Sequence, residues 1–271
     1  MPQDFCPFVG IEPFTEEDRD YFFGRGREQR IIISNLYAAS LTVLYGASGV
    51  GKTSVLLAGV VPKLRDEPRT AVVVFRHWQD ETFADLLKAE CVAAIEAAQQ
   101  KPLDVEPSVP FDEFLSAATQ RFQGTLLIIF DQFEEYFLYP TAQASFEAEF
   151  ARAVNREEID TNFLLALRED SLAKLDRFKS RIPTLLSNLL PLHHMDLKAA
   201  EDAIRKPLEV YNDRLTNKDE AVSIEDELVN ALLGQVQVAD TAGSGKAKGA
   251  KRHDQIEAPF LQLVMTRLWE K

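Results

Sequence analysis

Cysteine is scarce. Only Cys6 and Cys91 occur in 271 residues, far apart and outside any metal-ligand spacing. That excludes a disulfide-stapled scaffold and a cysteine-based metal site, and makes a reducing, cytoplasmic setting the expectation. No apolar run approaches the ~20 residues that span a bilayer. The opening residues, Met1-Pro-Gln-Asp-Phe-Cys-Pro7, carry neither a basic stretch nor an apolar one, so no secretory leader is expected. Positive charge is also in deficit: 30 Lys and Arg face 43 Asp and Glu, for a net charge of −13. A broad basic face for nucleic acid or for an anionic membrane is therefore not expected, although a small local basic site is compatible with that balance. Internal repeats are lacking, as is the guanine-reading pattern Asn-Lys-x-Asp. What is present is 46% hydrophobic residues, enough for a sizeable core, and a length that suits one large domain or a core with an appendage.

One stretch dominates the remainder. Residues 41–45, Leu-Thr-Val-Leu-Tyr, read as a short strand. Gly46-Ala47-Ser48-Gly49-Val50-Gly51-Lys52-Thr53 follows at once, and residues 54–64 read as a helix. Strand, G-x-x-x-x-G-K-T and helix, in that order, form the context of a phosphate-binding P-loop. Backbone N–H groups and the positive end of a helix converge on the phosphates. Glycines permit the close approach and positive φ. Lys52 is placed to reach the β- and γ-phosphates, the Thr53 hydroxyl to ligate Mg²⁺, and Ser54 to touch the α-phosphate. A chance glycine-rich turn would explain the loop but not its two correct flanks.

Around it the chain reads as alternating strands and helices. Residues 1–23 read as an extended leading segment rich in Pro and Phe. Tyr21-Phe-Phe-Gly24-Arg25-Gly-Arg-Glu28 then opens a helix over 27–39, and is either a lip for a flat ligand or a helix start with a hydrophobic staple. Strands are expected at 71–75, 125–130 and 162–168, and helices at 82–100, 111–123 and 142–154. Thr125-Leu-Leu-Ile-Ile-Phe130 shows no alternation, as befits a strand covered on both faces. Residues 171–190 read as two short helices, and 192–197 as the last strand. His193 and His194, being adjacent, would point to opposite faces and form no metal site. From 198 onward the pattern is helical without strands, at 198–211, 224–238 and 259–270. Residues 240–253 read as a flexible basic loop whose Gly-Ser-Gly-Lys lacks the hydroxyl residue a P-loop needs.

Two further clusters carry chemistry. Asp131 directly follows the buried strand 125–130, and Glu134 and Glu135 lie within a turn of it. A carboxylate at the carboxyl end of a buried parallel strand sits at the ligand edge of an open α/β sheet. Asp131 is expected to hold Mg²⁺ through water, and one of Glu134 or Glu135, which one being open, to orient or deprotonate an attacking water. An acidic helix start is the plainer explanation for part of the triplet. Arg168 ends the strand 162–168 and is expected to face the γ-phosphate; a solvated strand-end arginine is the alternative. If that strand lies between the P-loop strand and the acidic strand, the sheet order is 5-1-4-3-2.

Taken together, Phe22-Phe-Gly24-Arg25, Gly46–Thr53, Asp131-Gln-Phe-Glu-Glu135, Leu165-Ala-Leu-Arg168-Glu-Asp170 and Ala258-Pro259-Phe-Leu-Gln-Leu263 resemble the bacterial novel STAND domains of the STAND class of signal-transduction ATPases. The resemblance covers nearly the whole chain. It implies a three-layer α/β/α P-loop NTPase core with a parallel sheet, over residues 24–197, and a helical ARC-like subdomain over 198–271. It further implies that Gly24 and Arg25 line an adenine pocket, that Pro259 reaches the base, that ATP or ADP and Mg²⁺ are the ligands, and that the ATP state self-associates and signals through effector and sensor domains. Gly26 stands where the family's Gly-Arg run continues with an acidic residue, and Ala258 where a glycine often precedes the proline. A chain ending at Lys271 is expected to be a piece of a longer protein. Rival readings are an AAA+-like remodelling ATPase, a small-molecule kinase and a nucleotide-locked interaction module.

Overall fold

The computed structural model describes residues 5–139, 143–237 and 255–271. The flexible loop expected at 240–253 lies outside them. In chain order the elements are a 3₁₀ turn Glu16–Tyr21, α1 (Gly26–Ala38), β1 (Leu41–Gly46), α2 (Lys52–Ser54), a π-helical stretch Val55–Val60, α3 (Val61–Arg65), β2 (Thr70–Phe75), α4 (Phe83–Gln99) and α5 (Phe111–Phe122). Then come β3 (Thr125–Phe130), a 3₁₀ turn Phe133–Leu138, α6 (Gln143–Asn155), β4 (Thr161–Arg168), a 3₁₀ stretch Glu169–Phe178, β5 (Leu189–Pro191), β6 (Met195–Asp196), α7 (Leu197–Arg214), a 3₁₀ turn Lys218–Glu220, α8 (Asp226–Gln235), β7 (Gln255–Ile256) and α9 (Ala258–Trp269).

The chain divides into two compact units. One comprises residues 30–48 and 60–192 and holds a five-stranded parallel sheet in the order β2-β3-β4-β1-β5, which from the opposite edge is 5-1-4-3-2. Leu126 to Phe130 and Phe163 to Leu167 are buried without alternation, so both faces of the central strands are covered. That is why β-branched and apolar residues run uninterrupted here. The fifth strand departs from expectation. It is Leu189–Pro191, not 192–197, and among the described residues only β1 pairs with it. Proline cannot donate to a ladder, so an edge strand is where Pro191 fits. Nor do residues 171–190 form two helices: a 3₁₀ stretch ends at Phe178 and irregular turns lead to β5.

An aromatic cluster fills the end of this unit near β2 and β3. Trp78, Phe83, Phe130, Phe133, Tyr136, Phe146 and Phe150 are all buried, and Phe133 and Tyr136 stack with centroids 5.1 Å apart. Two buried carboxylates lace the surrounding helices. Asp112 of α5 is held by Arg152 and Arg156 at 2.8 and 3.1 Å. Glu147 of α6 is held by Arg177 and Arg181 at 2.9 and 3.2 Å. A buried carboxylate is tolerated when its oxygens are paired in this way.

The second unit comprises residues 1–29, 49–59 and 193–271. Its core is Phe8, Met195, Ala200, Ile204 and Leu208 with Val229, Leu232, Ile256, Leu261 and Met265. Part of the segment expected as the last strand, Met195–Asp196, does form a strand, β6, but it pairs antiparallel with β7 in a separate two-stranded sheet. The leading segment is not wholly extended either. Thr15 and Asp18 form a capping box, the Thr15 amide donating to Asp18 Oδ2 at 2.8 Å, and so start the 3₁₀ turn Glu16–Tyr21. Among the described residues no helix is long and apolar enough to cross a membrane.

Candidate nucleotide site

Within the sheet unit, three sequence-predicted groups come to one carboxyl edge. Gly46, the first P-loop residue, is the register partner of Arg168 across β1 and β4. Asp131 follows β3, the next strand over. It is 1% exposed, its amide donates to the Phe75 carbonyl at 3.0 Å, and its carbonyl accepts from Trp78 Nε1 at 2.9 Å. The backbone of Asp131 is therefore pinned from both sides by the aromatic core.

The acidic turn is aimed by its helix type. In a 3₁₀ turn residues three apart eclipse. Phe133 and Tyr136 thus share the buried face, and Glu134 and Glu135 are left half-buried on the others. Glu134 Oε2 accepts from the Arg168 amide at 3.2 Å, which carries its carboxylate across the end of β4. Burial, with Glu147 beside it, pushes the Tyr136 hydroxyl above its ordinary value; that hydroxyl faces Glu147 Oε1 at 3.5 Å. Glu147 therefore touches both the turn after β3 and, through Arg177, the stretch after β4. The Arg168 guanidinium itself pairs with Asp170 at 2.6 Å, about half exposed on both sides. An exposed pair of this kind is worth at most ~1 kcal/mol and yields easily to a stronger anion.

Within the other unit lie the later P-loop residues. Gly49 and Gly51 have φ of +72° and +94°. Gly51 caps α2, whose first residue is Lys52, and helical structure then runs on through the π stretch to Arg65. The Phe14 amide donates to Ser54 Oγ at 3.2 Å, which ties the leading segment to the loop. Arg25 is 3% exposed, and it is a clamp as well as a candidate pocket residue. Its Nη2 donates to the Val50 carbonyl at 2.9 Å, and its Nη1 to the His193 carbonyl at 2.9 Å and to Glu28 at 3.2 Å. Burial pushes this guanidinium below its ordinary value and Glu28 opposes the shift. This grip on the P-loop backbone was not legible in sequence, where Arg25 is one charge beside a glycine. Pro259 Cγ lies 3.4 Å from where a Cβ on Gly49 would stand. His193 is exposed and His194 half-buried, and among the described residues no group of three or more His, Cys, Asp or Glu could hold a metal ion.

Two stability predictions arise here. Gly24 has φ of +86°, and a Cβ on it would stand 2.3 Å from the Ala199 carbonyl oxygen in α7. Gly24→Ala is expected to cost more than ~2 kcal/mol, because backbone must move. Gly51→Ala meets nothing within 4 Å and is expected to cost only ~1 kcal/mol of φ strain. Urea unfolding of both variants checks the contrast. Arg25→Lys keeps the charge but not the planar fork, and is expected to cost ~1–3 kcal/mol in the same measurement.

A parallel sheet in the order 5-1-4-3-2, a glycine loop after β1 and a buried aspartate after β3 make this a P-loop NTPase fold. The chain belongs to the Novel STAND NTPase 1 family, which matches it over residues 7–271. Solved structures agree at the level of fold. The Walker-type ATPase paby2304 of Pyrococcus abyssi superposes with a TM-score of 0.61 at 15% identity, covering 98% of this chain and 72% of that one. The Aeropyrum pernix ORC1 protein, solved in complex with DNA, gives 0.52 at 16% identity over 93% of this chain and 61% of its own. The A. pernix ORC2 protein, solved in ADPNP–ADP complexes, gives 0.50 at 14% identity over 69% and 52%. No curated protein matches in sequence.

Proposed function

We propose that the chain is an ATP-binding and slowly hydrolysing switch domain of a signal-transduction protein of a bacterial regulatory or defence system. The observation that carries this reading is the shared carboxyl edge, where Gly46 and Arg168 are in register and the Arg168 amide binds Glu134. Lys52 and the amides of residues 46–51 hold the phosphates. Thr53 and Asp131 are the oxygens that would hold Mg²⁺. A hydroxyl and a carboxylate are donor types that Mg²⁺ takes, and the ion completes its shell with water and phosphate oxygens. When bound, the ion neutralises phosphate charge. Glu134, already directed across the end of β4, is favoured over Glu135 as the residue that positions water. Arg168 leaves Asp170 for the γ-phosphate.

Gly24 and Arg25 support the pocket, Arg25 by fixing the Val50 carbonyl. Pro259 approaches the loop at Gly49 and supports the role of contacting the base. A switch between an ATP-bound and an ADP-bound state is part of the proposal. Self-association in the ATP state, and effector and sensor domains in a longer chain, complete the proposal. The domain reading is retained with it: a leading segment to residue 23, a nucleotide-binding core over 24–197 and a helical subdomain from 198.

Phosphate release from ATP tests the reading, measured with Mg²⁺, with chelator, and with added duplex DNA. Slow release that needs Mg²⁺ and ignores DNA is expected. Stimulation by DNA would favour a remodelling ATPase, and retained ADP without release would favour a nucleotide-locked module.

A further inference from the structure

Arg25 touches the P-loop at one peptide unit, and that contact has a direction. Its Nη2 donates to the Val50 carbonyl at 2.9 Å, and both residues are buried. No described peptide bond is cis. In a planar trans peptide the C=O and the N–H of the following residue point in opposite directions. Fixing the Val50 oxygen toward Arg25 therefore turns the Gly51 N–H away from it. Among the described residues no hydrogen bond uses that N–H. A Cβ on Gly51 would meet nothing within 4 Å, so the space beside this residue is open. An unused backbone donor thus stands beside open space, on the loop that the residue pattern assigns to phosphate. The guanidinium is itself held still. Gly24, at φ of +86°, brings the chain against α7, where a Cβ would stand 2.3 Å from the Ala199 carbonyl oxygen. Nη1 donates to the His193 carbonyl at 2.9 Å and to Glu28 Oε1 at 3.2 Å. Gly51 has φ of +94°, and glycine accepts φ of either sign, so without such a hold the Val50–Gly51 peptide can turn over at little cost.

We infer that Arg25 is a positioning residue for the phosphates: it holds the Val50–Gly51 peptide so that the Gly51 N–H donates to a phosphate oxygen of the bound nucleotide. The inference rests on the nucleotide-binding reading above and adds to it the side chain that aims one backbone donor of the loop. Glu28 offsets part of the guanidinium charge, so Arg25 contributes direction more than attraction. The inference gives Arg25 to the phosphates and not to the base, and the two roles lead to different losses.

The probes are ATP, inorganic tripolyphosphate, which has the phosphates without the base, and adenosine, which has the base without the phosphates. Arg25→Lys keeps the charge, but an ammonium lacks the planar fork that holds two carbonyls in fixed directions. With the variant shown to be folded by its thermal midpoint, ATP and tripolyphosphate are each expected to bind ~10-fold more weakly than to wild type, the loss of one charge-assisted donor. Adenosine binding is expected to stay as in wild type. Arg25→Gln, whose amide can still reach one carbonyl, gives the same comparison should the lysine variant fold poorly. Tripolyphosphate held as tightly by the folded variant as by wild type, or adenosine weakened by the same factor as ATP, overturns the inference. Binding of neither ATP nor tripolyphosphate by wild type overturns instead the nucleotide-binding reading on which it rests.

Discussion

Glu134→Gln is expected to lower ATP turnover ~100-fold or more while ATP affinity stays within a few-fold, and Glu135→Gln is expected to change turnover far less. The 3₁₀ geometry of the turn sends Phe133 and Tyr136 into the core and leaves both acids outside it. Of the two, Glu134 takes the amide proton of Arg168 at 3.2 Å, and Arg168 is the register partner of the first P-loop residue. A glutamine has the same shape and its amide oxygen can still accept from Arg168. What it loses is the ability to take a proton or to hold a water as a charged acceptor. General-base assistance contributes typically ~10²–10⁴-fold. Single-turnover phosphate release, set beside equilibrium binding of ATP, separates loss of chemistry from loss of binding. Full turnover in both variants, with ATP still bound, would remove the base from this turn. A large loss in Glu135→Gln alone would move it by one residue.

Much of the sheet was legible because its signals are local. Gly46 to Thr53 has fixed residue types at fixed spacing, and 125–130 is an unbroken apolar run ended by an aspartate. The strands next to them, β1 and β3, flank β4. What escaped was short or long-range. Leu189–Pro191 is a three-residue edge strand, too brief to show a period. β6 and β7 contribute two residues each from distant parts of the chain, and nothing in the sequence marks Gln255–Ile256 as the partner of a strand within 192–197. The capping box at Thr15 and Asp18 was a readable signal, a Thr followed three residues later by an acid. The π-helical stretch Val55–Val60 sits in an apolar run that also suits an α-helix.

The candidate site divides in the same way. Residue types named the loop, the aspartate and the arginine at the strand end. They left Glu134 and Glu135 equivalent, because an α-helical turn and a 3₁₀ turn aim adjacent acids differently. Arg25 illustrates the point from another side. Its three partners, Val50, His193 and Glu28, include two backbone carbonyls, and no sequence pattern marks a carbonyl as taken.

The central claim is that this chain holds a nucleotide by its P-loop, and Lys52 is where it is most exposed to failure. A lysine ammonium donating to phosphate oxygens makes charge-assisted hydrogen bonds worth ~1.5–3 kcal/mol each. Two such bonds lost correspond to ~100-fold or more in affinity. Lys52→Ala leaves the glycines and the Thr53 hydroxyl untouched, so the fold is expected to persist and the thermal midpoint to shift little. Calorimetric titration of ATP and of ADP into wild type and Lys52→Ala is the direct measurement. Tight binding by wild type, weakened ~100-fold or more in the variant, is the predicted result; equal binding of the nucleotides by the two proteins would contradict the account.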